Sequence, residues 1–334
     1  MMKDLIVKAR ELYAKKKALF LIAITVCLIL LPQLITDSYP KGILCRMLLY
    51  ATLAGSLNVI CGYSGMFCLG HIAFFCLGAY TEAILSANTN LPYLLLLVIA
   101  GAITAIAALI IFFPIRNLDG HWLSLVTIGF SEIVRLTALN WTSLTGGSMG
   151  MKDIARPVIF GYTFRSTTQF YYLFLVVAIL FVFVTTRLVK SRVGYAWMSI
   201  REDQLAARSL GVEVMQYKAT NFLYGTFWAG VAGALYAPYL MYIDPTLFTL
   251  DEGFSVLCMV LIGGLGSILG PIAGAILVVF LTETLRVLGN YRIAIYGLVI
   301  ILVMWVRPEG IFGAPIYNMP KAIHFKRKEK RPAA

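Results

Sequence analysis

Apolar residues fall into uninterrupted blocks along this chain, at 18–35, 91–113, 171–184 and 291–306 among others, instead of alternating with polar positions. Such blocks approach the ~20 residues a helix needs to cross a hydrocarbon core, and they lack the one-sided stripe of a helix that packs on a soluble core. Continued along the chain, the pattern predicts crossings near 18–35, 43–61, 66–87, 91–113, 121–140, 169–187, 217–242, 252–263, 268–288 and 292–306. The predicted fold class is an all-α polytopic membrane protein of about ten transmembrane helices. Residues 1–17 and 307–334 form basic tails around a membrane domain at 18–306.

The block 252–288 is interrupted by Gly263, Gly264, Gly266, Gly270 and Pro271. Glycine costs about 1 kcal/mol in a helix interior and proline about 3, so the helix is expected to break here, as two crossings or as a re-entrant segment. The irregular backbone should then be buried in protein or line a cavity. A comparable string runs from Gly62 through Gly65 and Gly70 to His71. With one gap the two share Gly-x-x-Gly followed by Leu-Gly-x-Ile-Ala, which hints at an internal repeat of the kind transporters use.

Composition narrows the class. Of 334 residues, 60% are hydrophobic and 13% charged, where soluble domains carry about a quarter charged. Lys and Arg total 28 against 16 Asp and Glu, a net +12 concentrated in the tails. There is no basic face with base-stacking aromatics and no nucleic-acid reading motif, so the charge reads as the flanks of membrane helices. With an even number of crossings, 20 basic residues share a side with both tails and the loop 188–216, and 7 lie opposite. The positive-inside rule then places both termini in the cytoplasm. The first block follows Lys15, Lys16 and Lys17 as in a signal peptide, but no small-x-small cleavage site comes after it, so it is expected to remain as a helix. Ahead of it, Leu5, Ile6, Ala9, Leu12 and Tyr13 share one helical face, which suits either an interfacial helix on membrane lipid or a frayed tail.

Candidate chemistry is sparse. The six cysteines lie in or beside apolar segments, with no Cys-x-x-Cys and no histidine at ligand spacing, so they read as helix-packing residues. No metal or cofactor is expected in this chain. No Gly-x-x-x-x-Gly-Lys followed by Ser or Thr occurs, which excludes nucleotide binding by a Walker A loop. The histidines are His71, His121 and His324, without the converging nucleophile or metal groups an enzyme needs. The outer loop 141–168 carries Gly146, Gly147, Gly150 and Pro157, and reads as an ordered partner-facing loop or a solvated connector. In the inner loop 188–216, Ser199 and Glu202 form an S-x-x-E capping box and Gly211 is a natural stop, bracketing a helix of about eleven residues. Neither face is strongly apolar, and Ala206 and Ala207 permit close approach, so this helix suits docking into a partner's groove.

These residues carry a resemblance. Ala206-Ala207-x-x-x-Gly211 resembles the EAA loop of ABC-importer permeases. The fuller run from Ser199 through Arg201, Glu202 and Asp203 to Gly211 is similar to the M-type subunit of branched-chain amino acid permeases. Strings across 45–313 agree: Leu57 to Gly65, Gly70-His71 to Tyr80, Leu125 to Arg135, Leu144 to Gly150, Gly230-x-x-Gly233, Gly263 to Pro271 and Arg307-Pro-Glu-Gly310. Leu205 stands where the general motif has its acid. The resemblance implies an ATP-driven importer in which this chain and a shorter H-type (LivH-type) permease form the pathway. Two cytosolic ATPases would bind the ATP and dock on the loop, and an extracytoplasmic binding protein would deliver leucine, isoleucine or valine, or an analogue such as urea or an amide.

Charges inside the spans keep a rival open. Glu132 and Arg135 stand three apart on one helical face, as do Glu283 and Arg286, so each pair can neutralise itself. Intramembrane charges also mark proton or substrate sites, and a proton-coupled carrier acting alone would use Glu82, Glu132 or Glu283. Such a carrier leaves the capped helix without a task. His71 reads either as pathway-lining or as helix-packing, beside the glycines of the two breaks. Ala229-x-x-x-Gly233 and Gly270-x-x-x-Gly274 are candidate close-approach surfaces.

Overall fold

The computed structural model describes residues 37–89, 91–116, 120–159, 161–284 and 310–312, with isolated positions within 28–35 and 297–305. The 1–17 segment, most of the first and last expected crossings, Arg286 and most of the tail 307–334 lie outside the described residues. Helix α1 (Ser38–Asn58) runs into a π-helical turn, Val59–Tyr63. It is followed by α2 (His71–Asn88), α3 (Tyr93–Ile115), α4 (His121–Asn140) and α5 (Thr167–Val189). Two short helices, α6 (Arg192–Glu202) and α7 (Gln204–Ser209), lead to α8 (Val214–Leu240), α9 (Leu250–Gly263) and α10 (Leu269–Thr284).

Four of these segments are long and apolar enough to cross a membrane: Ser38–Tyr63, Tyr93–Ile115, Trp122–Asn140 and Thr167–Val189. The chain is therefore a helical, multi-pass membrane protein. Helices α2 and α8 are less apolar because of where they sit. α8 packs against α1, α2 and α3, and Ala229, Ala232, Ala234 and Ala237 on it are fully buried. A helix sheathed by other helices meets little lipid and needs less hydrophobicity.

Small residues set the spacing at the centre. A Cβ added to Gly78 would lie 2.2 Å from the Gly230 carbonyl, and one on Gly233 would lie 2.1 Å from the Phe75 carbonyl. The α2 and α8 backbones thus touch, which is how helices associate when lipid removes the hydrophobic drive between them. Gly274 presses in the same way on the Met259 carbonyl, joining α10 to α9. Both small-residue stripes are spent inside the chain.

The described part of the loop 141–168 is built from short regular elements. After a helical turn at Thr142–Thr145, strand β1 (Met151–Lys152) pairs antiparallel with β4 (Tyr242–Ile243), Met151 opposite Ile243. Strands β2 (Val158–Ile159) and β3 (Tyr162–Thr163) form a hairpin. The loop is thereby pinned to the segment that leaves α8.

Candidate functional site

The loop 188–216 folds differently from the expected single helix. α6 continues through Ser199, whose Oγ donates to the Ala196 carbonyl at 2.8 Å, so the Ser199/Glu202 capping box does not form. Trp197 and Ile200 explain this: each is 1% exposed, and burying them carries the helix past the local capping signal. The break falls at Asp203 instead, in extended backbone, with its Oδ1 accepting from the amides of Leu205 at 2.8 Å and Ala206 at 3.0 Å. Asp203 therefore performs the capping that the sequence pattern assigned to Ser199. The stop is as expected. Gly211 has φ +82°, its amide donates to Arg208 and that of Val212 to Ala207, the paired bonds of a glycine-terminated helix.

The faces of α7 also correct the expectation. Ala207 is 2% exposed and packs with Ile200 and Val214, so it serves the chain's own core. The outward side instead shows Leu205 at 74% and Leu210 at 83% exposure, with Glu202, Asp203, Ala206 and Arg208 around them.

Arg201 joins this loop to the helix breaks. Its Nη1 donates to the Gly62 carbonyl at 2.6 Å, at the end of the π turn, where carbonyls lack intrahelical partners and the helix dipole favours a cation. Gly62 lies directly against Gly266. A Cβ on Gly62 would stand 2.4 Å from the Gly266 amide nitrogen, and one on Gly266 would stand 2.8 Å from Arg201 Nη1. Asn58 ties the same two strings, accepting from the Gly266 amide at 2.9 Å and donating to the Ser267 carbonyl at 2.8 Å. Asn221 of α8 donates to the Val59 carbonyl and accepts from Ser64 Oγ, each at 2.9 Å. Beyond the break, Gly310 presses on Gly264, while the amides of Ile311 and Phe312 donate to the carbonyls of Ile262 and Gly263. Gly65 borders the Arg201 side chain, Gly70 presses on the Thr127 carbonyl, and Gly270 and Pro271 pack on Gly263. Sequence reasoning missed Asn58 and Asn221. Their signal was an amide side chain inside an apolar block.

His71 is 2% exposed and opens α2 with Nε2 2.8 Å from Ser56 Oγ, a helix-packing arrangement. Arg135 Nε reaches both carboxylate oxygens of Glu132, at 3.1 and 3.0 Å. Glu283 pairs across to another helix, with Arg46 Nη2 at 2.9 Å and the Tyr39 hydroxyl. Glu82 is completely buried, with neither carboxylate oxygen hydrogen-bonded among the described residues. No group of His, Cys, Asp and Glu among the described residues could hold a metal.

A sequence model of the branched-chain amino acid transport system permease component matches residues 39–304. The high-affinity branched-chain amino acid transport system permease protein LivM of Escherichia coli K12 is 34% identical over 319 residues, covering 89% of this chain and 75% of its own length. The corresponding LivH protein of the same organism is 26% identical over 291 residues, 80% of this chain and 92% of its own. A probable LivM protein of Methanocaldococcus jannaschii is 24% identical over 246 residues, 68% and 70%. No solved structure matches the chain. With the family pattern running through nearly all of the described helices, the chain belongs to the branched-chain amino acid transport system permease family.

Proposed function

We propose that this chain is one of two permease subunits enclosing the pathway of an importer of leucine, isoleucine and valine, driven by separate ATPase subunits that seat on the loop 188–216. The observation that carries the reading is α7, with Leu205 and Leu210 turned outward and its base tied through Arg201 to the meeting point of the two glycine breaks. Two leucines this exposed contribute nothing to the fold, whereas a partner groove covering them gains about 25 cal/mol per Å² of apolar area. A displacement of α7 passes through α6 and the Arg201 guanidinium to the ends of α1 and α9.

In this arrangement about ten helices cross the membrane, both tails and the loop 188–216 lie in the cytoplasm, and the 141–168 loop meets the substrate-binding protein outside. A LivH-type sibling supplies the second permease. The substrate class follows from what the related permeases are named for. A lone proton-coupled carrier would have to rely on Glu82, since Glu132 and Glu283 are held in ion pairs, and it would leave α7 without a task.

The test is purification of the tagged chain from mild detergent. The sibling permease and the ATPase should accompany it, and Leu205→Arg with Leu210→Arg should release the ATPase while the sibling stays. A chain that purifies alone, or an ATPase retained equally by the double variant, contradicts the reading.

A further inference from the structure

The four apolar spans differ in what their uncovered faces carry. α3 turns Val98, Ile106, Ile110 and Phe113 outward, an apolar surface suited to hydrocarbon. α4 is the least covered of the four, with 22% of its span buried against 72% for Ser38–Tyr63. Its open face is mixed: Trp122, Leu125, Val126, Ile133 and Leu136 share it with Gly129, Thr137 and Asn140, and the half-buried Glu132–Arg135 pair borders it. The side chains of Glu132 and Arg135 are 36% and 23% exposed. Arg135 turns back toward Glu132 and the middle of the span instead of reaching for the nearer end at Asn140. Charged groups in that position facing lipid tails lose their hydration, so intramembrane charges face protein or water.

We infer that the open face of α4 is a wall of the solute pathway, and that Glu132 and Arg135 form a polar station on it for a zwitterionic amino acid. This rests on the importer reading above. The solute's ammonium would meet the Glu132 carboxylate and its carboxylate the Arg135 guanidinium, an exchange of one ion pairing for two that leaves the net charge unchanged. Ile133, Leu136 and Trp141 line a shallow depression beside the pair, with Thr137 and Asn140, where an aliphatic side chain can lie.

The test places cysteines at Gly129, Thr137 and, on α3, Ile110, in the assembled importer lacking reactive native thiols. A Cβ at Gly129 meets nothing within 4 Å, so that substitution should fold. With a membrane-impermeant cationic thiosulfonate as probe, the cysteines at 129 and 137 should react about tenfold or more faster than that at 110, and leucine should slow them. Glu132→Gln should raise the KM for leucine about tenfold with ATPase binding intact, and Glu132→Asp should recover part of it. Equal reactivity at 129, 137 and 110 overturns the pathway wall, and an unchanged KM in Glu132→Gln overturns the station. If the wild-type complex imports no leucine, the importer reading itself fails, whatever the labelling pattern.

Discussion

Arg201 donates to the carbonyl of Gly62 at 2.6 Å across 139 positions of sequence, so a residue of the loop 188–216 holds the end of a membrane helix. A hydrogen bond to a charged group contributes about 1.5–3 kcal/mol. Removing it with Arg201→Ala should leave the complex assembled and hydrolysing ATP while leucine uptake falls sharply. Hydrolysis and uptake measured on the same proteoliposomes check this.

Gly266 has φ +76°, and a Cβ there would crowd Arg201 Nη1 at 2.8 Å. Gly266→Ala costs about 1–2 kcal/mol in backbone strain and should uncouple in the same manner as Arg201→Ala. Because both act on one contact, the double variant should lose less than the sum of the singles in a double-mutant cycle on uptake rate.

Gly211 holds φ +82° with nothing within 4 Å of an added Cβ, so only backbone conformation is at stake. Gly211→Asn should bind the ATPase nearly as well as the parent, while Gly211→Val, β-branched and disfavoured at positive φ by at least about 1–2 kcal/mol, should bind it weakly. A pull-down series reads the order.

Run length made several helices legible in the sequence. The segments predicted at 91–113, 121–140 and 169–187 fall within two residues of α3, α4 and α5 at each end, because in 91–113 and 169–187 a long apolar block leaves little choice of boundary, while Gly120 and Asn140 bound the more polar 121–140. The 66–87 block began too early, since Met66 and Cys68 are buried in a non-helical connection and look helical by composition alone. The glycine strings were legible as breaks, but their contact was not, since no periodicity links Gly62 to Gly266. At Ser199 a valid local capping pattern lost to the burial of Trp197 and Ile200, a tertiary effect that no short window contains. Arg201 belonged to the expected coupling segment, yet its partner came only from the fold.

Glu82 is fully buried without a hydrogen-bond partner among the described residues. Replacing such a group with an apolar residue of similar volume recovers about 1–3 kcal/mol, so Glu82→Met should raise the unfolding temperature of the purified chain. ATP-driven leucine uptake should survive the change, whereas a carrier using Glu82 for protons would lose transport.

The most direct test is leucine uptake into proteoliposomes holding either this chain alone or the chain with its sibling permease, ATPases and binding protein, energised by ATP or by an imposed proton gradient. Uptake only in the full complex and only with ATP is the predicted result. Gradient-driven uptake by the lone chain without ATP would contradict the account.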